Sequence, residues 1–377
     1  MKGKVLVVGY GRVGKAVALL LCMEGYNVVI ADISDDKLKL ASESLKVETL
    51  KVNILDDAWT RNVTKDFDVV CTALPGTIGF KAIRDLIAKG VNTIDVSYFP
   101  EDPFILDLEA KRSRCHVVVD AGVAPGLSSM LAGRAYKELK GFDTLEIYVG
   151  GLPENPKDKP LGMLITWSPI DLLDEYVRPA RIKVNGKIIA VDPLSITGNI
   201  ELPGLGVYEY FVSDGLRTML KTFKNVKNMY EFTIRYKGHI NIMKTFKDLG
   251  MLSWNTVDVY GVKIKPIHVL AKLLELSLQR EEPDITILHV KAVKGDLTLN
   301  FTLYDKYDSK LKLSSMSRTT GFTQALIAIA SIKGLFERDV GLITPEELGL
   351  WDKTYTFVIN KLKTLNVEVK KSVQALK

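Results

Sequence analysis

Gly9-Tyr10-Gly11-Arg12-Val13-Gly14 follows a short apolar run, Lys4–Val8, and opens a stretch of helical periodicity that lasts to about Glu24. A strand that passes through G-x-G-x-x-G into a helix admits few folds. The first glycine allows the tight turn, the second lets backbone approach a pyrophosphate, and the third lets helix and strand pack closely. The helix then directs its free N–H groups and positive dipole end at the phosphates. Asp32 stands 18 positions after Gly14, at the end of a second apolar run, Val28–Ala31. A carboxylate there accepts hydrogen bonds from the adenosine ribose and repels a 2′-phosphate. No arginine follows Asp32 closely, and Lys37 is the nearest cation. The pattern predicts NAD as cofactor, held by Gly9, Gly11, Arg12, Val13, Gly14 and Asp32.

The alternation continues through the first third of the chain. A polar helical stretch, Ser34–Leu45, follows, and Val47–Val52, Asp68–Ala73, Thr93–Val96 and Val117–Val119 read as strands. Helical stretches at Phe80–Lys89 and Glu101–Arg112 separate the later ones. Strands alternating with helices imply parallel βαβ units, and hence a doubly wound α/β sheet of Rossmann type. Ligands of such sheets lie at the carboxyl ends of the strands. That places Ala73-Leu74-Pro75 and Asp95-Val96-Ser97-Tyr98 beside the nicotinamide.

The pattern changes near Gly122-Val123-Ala124-Pro125-Gly126. Beyond a helix to about Leu139, strand-like runs dominate, among them Leu145–Gly151, Met163–Trp167, Ala180–Val184, Val207–Phe211, Tyr230–Tyr236, Thr286–Val293 and Leu297–Tyr304. We expect a dinucleotide-binding domain over 1–123 and a mixed α+β substrate and oligomerisation domain over 124–317. The segment 318–377, opening with the apolar helix Thr320–Phe336, is expected to pack back onto the first domain.

The chain has 377 residues, 47% hydrophobic and 25% charged, with a net charge of +6 spread along its length. Dispersed lysines without interleaved aromatics argue against a nucleic-acid stripe. No apolar stretch is long enough to span a bilayer, which argues against a membrane partner. Lys2 and Lys4 precede a short, glycine-broken apolar run, unlike a secretory signal, so a cytoplasmic protein is expected. The three cysteines and four histidines show no ligand spacing, so no metal is expected.

Further along, Gly150-Gly151-Leu152-Pro153, Thr166-Trp167-Ser168-Pro169, Asp174-Glu175-Tyr176-Val177-Arg178-Pro179-Ala180, Asp214-Gly215-Leu216-Arg217-Thr218 and Arg235-Tyr236-Lys237-Gly238-His239 succeed one another. With the Pro75-Gly76, Asp95–Tyr98 and Asp120–Gly126 stretches, they resemble the saccharopine dehydrogenase-like superfamily. Within it the chain is most similar to the lysine 6-dehydrogenases, over nearly its whole length to about Pro345. The resemblance implies NAD-dependent oxidative deamination of L-lysine at its ε-carbon. The product would be 2-aminoadipate 6-semialdehyde, which cyclises to piperideine-6-carboxylate, and ammonia is released. Saccharopine reductases of the superfamily usually carry aspartate before the Pro-Gly of the 122–126 loop, where this chain has Ala124. Saccharopine or carboxynorspermidine dehydrogenase is the alternative.

Such chemistry needs a cation for the α-carboxylate, carboxylates for ammonium groups, and a base. Arg178 and Arg235 are the candidates for the carboxylate clamp, since guanidinium grips carboxylate bidentately. Asp174 and Glu175 are candidates for an ammonium group, with Ser97 and Trp167 lining the substrate. His239, Tyr98 and Asp95 are the expected proton-handling residues. A non-enzymatic reading stands beside these: Val5–Ala18 resembles nucleotide-sensing domains that regulate potassium transport, which bind NAD without turnover. A strand-rich second domain offers a surface for self-association, so a homodimer or larger assembly is expected.

Overall fold

The computed structural model describes residues 2–62, 66–157, 159–278 and 282–375. It contains two compact units: Met1–Lys137 with Ser317–Glu368, and Glu138–Met316 with Val369–Lys377.

The first unit is built on a parallel sheet. Its strands are β1 (Lys4–Val8), β2 (Asn27–Asp32), β3 (Glu48–Lys51), β4 (Val69–Thr72), β5 (Thr93–Asp95) and β6 (His116–Val118). With a seventh strand, Gly341–Ile343, they lie in the order Gly341–Ile343, β6, β5, β4, β1, β2, β3. Every pairing is parallel. Strands covered by helices on both faces carry continuous apolar runs. Val5, Leu6, Val7 and Val8 are accordingly all buried. The order reverses between β1 and β4, and this switch point fixes where a ligand crevice opens.

Helix α1 (Arg12–Met23) buries Ala16, Val17, Leu20 and Leu21. Helix α2 (Asp35–Leu45) starts at Ser34, whose side chain accepts from the Lys37 N–H, with Asp35 and Asp36 in its first turn. Helix α3 (Gly76–Ala88) follows β4. The helix expected over Glu101–Arg112 starts later, as α4 (Leu106–Arg112). Asp102 and Pro103 instead open a short 3₁₀ turn, in which the Asp102 carboxylate caps the Phe104 N–H.

The compact units divide at 137/138, 316/317 and 368/369, in place of the expected 123/124 and 317/318. Helix α5 (Leu127–Glu138) clusters with the first unit up to Lys137. A methyl group on Gly133 would collide with the Glu346 carbonyl, and Arg134 pairs with Asp352 at 2.7 Å. These contacts tie α5 to the 345–352 segment of the same unit. Residues 317–368 also belong to this unit, whereas Val369–Ala375 pairs antiparallel with Leu297–Lys306 in the second.

The second unit holds a nine-stranded mixed sheet with the main order Thr197–Leu202, Gly206–Val212, Asn228–Arg235, Thr144–Pro153, Asp284–Lys294, Leu297–Lys306, Val369–Ala375. Ala180–Val184 pairs with Asn228–Arg235 and with Lys187–Val191. Met163–Trp167 is not a strand. Met163, Leu164 and Ile165 are buried by packing instead, and the Ile165 N–H donates to the Leu278 carbonyl. Two helices that periodicity did not bring out, His239–Asp248 and Pro266–Leu278, supply Ile240, Met243, Ile267, Leu270 and Leu274 to one core. Tyr176 and Phe211 complete that core with their rings 4.7 Å apart.

Candidate functional site

The glycine-rich loop turns β1 into α1. Gly9 has φ +95°, and a methyl on Gly14 would run into the Gly9 carbonyl oxygen. A methyl on Gly11 would meet nothing within 4 Å. The loop is therefore closed on its protein side and open at Gly11, where α1 begins without a side-chain cap. The N–H groups of a first helical turn left without a cap, facing open space, form an anion cradle. The Asp32 carboxylate accepts from the Tyr10 N–H at 2.7 Å and the Ser34 N–H at 2.9 Å. Lys37 Nζ stands 3.8 Å from it. These residues fit the diphosphate and adenosine ribose of a dinucleotide: Gly9, Gly11, Arg12, Val13 and Gly14 on one side, Asp32 on the other.

The carboxyl ends of β4 and β5 form a second cluster in the same unit. Asp95 is fully buried. It accepts from Thr72 Oγ1 at 2.6 Å, and from the Ser97 hydroxyl and N–H, each at 2.8 Å. Burial pushes the Asp95 carboxyl up to about 7, against the pull of these hydrogen bonds. Asp95 thus fixes the Ser97 turn. Tyr98 is half-buried, and its carbonyl lies where a Gly76 side chain would have to go. Ala73 and Leu74 are half-buried and Pro75 is exposed at the start of α3. Sequence reasoning did not find Gln324. Its amide donates to the Thr72 and Ile94 carbonyls at 2.8 Å each and so bridges the two strand ends. A glutamine inside an apolar helical run carries no spacing signal of its own.

In the second unit three candidates, His239, Arg235 and Glu175, come together around Tyr176, which sequence reasoning did not single out. His239 Nδ1 lies 2.8 Å from the Leu161 carbonyl, and Nε2 lies 2.8 Å from the Tyr176 hydroxyl. A carbonyl only accepts, so Nδ1 carries the hydrogen and Nε2 accepts from Tyr176. The Tyr176 oxygen accepts from Arg235 Nε at 3.0 Å. Arg235 Nη1 donates to the Ile234 carbonyl at 3.0 Å, and Nη2 to Glu175 Oε2 at 3.3 Å. Burial, reinforced by the Arg235 charge, pushes the His239 imidazole down to about 3. Burial lifts the Tyr176 phenol to about 12 despite Arg235, and the Glu175 carboxyl to about 7 despite Arg235 and Arg178.

His239, expected as a proton carrier, is thus placed as a neutral link with both nitrogens bonded. Arg235, expected at a substrate carboxylate, is buried and directed at Tyr176 and Glu175. Arg178 sets Nε on Asp174 Oδ2 at 2.7 Å, and Trp254 Nε1 donates to Asp174 Oδ1 at 3.1 Å. Trp254 lies 80 residues from Asp174, a separation that no local pattern reveals. Trp167 is half-buried and packs against the Tyr176 core. Among the described residues, no group of three or more His, Cys, Asp or Glu could hold a metal ion.

A dinucleotide cradle at the switch point of a parallel sheet, joined to a mixed unit with a buried polar network, defines a two-domain dinucleotide-binding protein. The family model of the saccharopine dehydrogenase NADP binding domain matches residues 5–121, and that of the saccharopine dehydrogenase C-terminal domain matches residues 122–366. The chain belongs to the saccharopine dehydrogenase family, and its first domain is built for a nicotinamide dinucleotide.

It is 27% identical over 293 residues to the mitochondrial alpha-aminoadipic semialdehyde synthase of Rattus norvegicus, covering 73% of this chain and 32% of that protein. The chain therefore spans about a third of the length of that relative. It is 22% identical to a carboxyaminopropylagmatine dehydrogenase of Synechocystis, over 92% of each chain. In fold it matches the apo saccharopine dehydrogenase (L-Glu forming) of Saccharomyces cerevisiae with a TM-score of 0.80 and 20% identity, covering 99% of this chain and 100% of that one. Among the described residues no helix is long and apolar enough to cross a membrane.

Proposed function

We propose that this protein is an NAD-dependent amine dehydrogenase that oxidises L-lysine at its ε-carbon. The observation that carries this reading is a run of two carboxylates, Asp174 and Glu175, each paired with its own arginine, Arg178 and Arg235. L-Lysine presents two ammonium groups and one carboxylate, and this cluster offers complementary charges of both signs. Arg178, held in direction by Asp174, is assigned to the α-carboxylate. A bound nicotinamide supplies the hydride acceptor. The substrate iminium then takes up water and releases ammonia, leaving 2-aminoadipate 6-semialdehyde. Asp95, through Ser97, shapes the loop beside the nicotinamide.

The preference for NAD rests on Asp32, since a carboxylate at that place in the motif repels a 2′-phosphate. Lys37, half-exposed, pairs with Asp32 itself at 3.8 Å. Ala124, in place of the aspartate usual in saccharopine reductases, gives the glutamyl part of saccharopine one polar contact fewer. A second reading is supported by the names of the relatives: a dehydrogenase acting on a larger secondary amine, such as saccharopine or a carboxylated polyamine. The two are separated by comparing kcat/KM for L-lysine, saccharopine and carboxynorspermidine with NAD, assaying ammonia and glutamate. Ammonia released from lysine at the highest efficiency supports the first reading. Glutamate accumulating faster from saccharopine overturns it. Absence of turnover with any amine leaves a nucleotide-sensing protein.

A further inference from the structure

We propose that Glu175 takes the proton from the reacting ammonium of the substrate, and that Arg235, aimed by Tyr176 and His239, is the positioning residue that holds Glu175 for this step. The proposal rests on the amine-dehydrogenase reading above. Its geometry is a single directed chain of hydrogen bonds. The Leu161 carbonyl fixes the tautomer of His239, His239 accepts from Tyr176, and Tyr176 accepts from Arg235. Nε and Nη2, which form one edge of the guanidinium, point at two consecutive residues of one turn, Tyr176 and Glu175. The third donor, Nη1, is tied to its own strand at Ile234.

The chain opens to the outside at one end. Tyr176 is 0% exposed, His239 2% and Arg235 4%, whereas the Glu175 side chain is 19% exposed. The chain ends there on a carboxylate whose Oε2 is held by the arginine.

The charged and titratable groups acting on Glu175 are Arg235 from the strand Asn228–Arg235, Asp174 from the helix Pro169–Asp174 that precedes it, Arg178 three residues on and Tyr176 beside it. Burial disfavours the Glu175 charge, and the two arginines restore part of it, bringing its proton affinity into the range suited to accepting a proton near neutral pH. The step is a proton transfer alone. The ammonium N–H bond breaks, an O–H bond forms on Glu175, and the lone pair stays on nitrogen for the oxidation that follows.

The test is the pH dependence of kcat/KM for L-lysine with NAD in the full chain, from about pH 5 to about pH 9, with NAD affinity measured in parallel. The wild type should lose efficiency as pH falls through about 7. Glu175→Gln should lose that acid limb and roughly a hundredfold or more in rate, with NAD affinity unchanged. Tyr176→Phe loosens Arg235, so the pull lowering the Glu175 proton affinity weakens and the limb should move to higher pH. His239→Gln, which keeps an acceptor for Tyr176, should hold the limb near its wild-type position, while His239→Leu should not. A carbon-13 NMR titration that assigns Glu175 by difference from Glu175→Gln reads the same shift without turnover.

If Glu175→Gln does not fold, Glu175→Asp takes its place; an unchanged rate in that variant overturns the proposal. Lysine oxidation with the acid limb intact in Glu175→Gln overturns the proposal alone. So does a Tyr176→Phe chain that loses rate equally at every pH with the limb unmoved. Absence of amine oxidation by the wild type overturns the amine-dehydrogenase reading, and the proposal with it.

Discussion

Replacing Gly11 by alanine separates the two jobs of the glycine-rich loop. Gly11 has φ −78° and ψ −165°, a conformation open to any residue, and an added methyl meets no atom within 4 Å. The protein itself therefore offers no steric objection. Alanine is a poorer N-cap than glycine, which costs about 0.5–1 kcal/mol at most. The methyl would, however, stand in the space through which a diphosphate approaches the first turn of α1. Displacing a tightly seated ligand to accommodate one methyl costs about 1–3 kcal/mol, or about 5- to 150-fold in Kd.

Gly14→Ala is the control. Its methyl faces the Gly9 carbonyl oxygen, a backbone atom that cannot rotate away. Overpacking of about 1–3 kcal/mol then outweighs the roughly 1 kcal/mol gained in helix propensity. Thermal unfolding and titration of NADH fluorescence read the two effects. Gly11→Ala should melt within a few degrees of wild type and bind NADH weakly, whereas Gly14→Ala should lose stability as well. A Gly11→Ala chain that binds NADH as tightly as the parent would refute the cradle.

Three further outcomes follow from the same contacts. Asp32→Ala should narrow the preference for NAD over NADP by about 5- to 150-fold, the worth of about 1–3 kcal/mol, read as the ratio of kcat/KM values; better efficiency with NADP in the unmodified chain would contradict the assignment. Arg178→Ala should raise KM for L-lysine while leaving KM for cadaverine, which lacks the carboxylate, nearly unchanged; equal losses for both would show that Arg178 serves the fold through Asp174. Asp95 binds its proton more tightly folded than unfolded, so its stabilising effect is complete below about 3.8 and is lost as pH rises to about 7. Asp95→Asn should flatten that part of the melting temperature–pH curve, and an identical slope in both chains would count against the burial argument.

The first unit was readable because its signals are local. A run such as Val5–Val8, a glycine turn and an amphipathic helix each lie within one window of sequence, and parallel connections leave few ways to order them. The second unit follows other rules. Met163–Ile165 has strand-like composition, but burial rather than pairing satisfies it. The helices His239–Asp248 and Pro266–Leu278 lie between two runs, Tyr230–Tyr236 and Thr286–Val293, that read as strands. The α5 boundary depends on the Gly133–Glu346 approach, two segments distant in sequence. The candidate site shows the same division. Gly9, Gly14 and Asp32 announce themselves by spacing, while Trp254 and Gln324 become visible only when distant segments meet. Arg235 and His239 were found as residues but not as partners, since a strand residue and a helix start four positions apart give no hint that Tyr176 stands between them.

The buried network also bears on why these polar groups are inside the second unit at all. A guanidinium taken out of water costs several kcal/mol unless its donors are met. Here Nε, Nη1 and Nη2 each have a partner, and the neutral end of the chain closes on a backbone carbonyl. Apolar residues of similar volume would fill the space beside the Tyr176 and Phe211 rings without that requirement, and often with equal or greater stability. They would also leave Glu175 with Arg178 alone to offset its burial, raising its proton affinity further. The arginine is therefore better explained by what it does to Glu175 than by what it adds to the core. The same logic accounts for His239: with Nδ1 fixed by the Leu161 carbonyl, Nε2 can only accept, so the Tyr176 hydrogen points away from Arg235 and leaves the phenol oxygen to receive it.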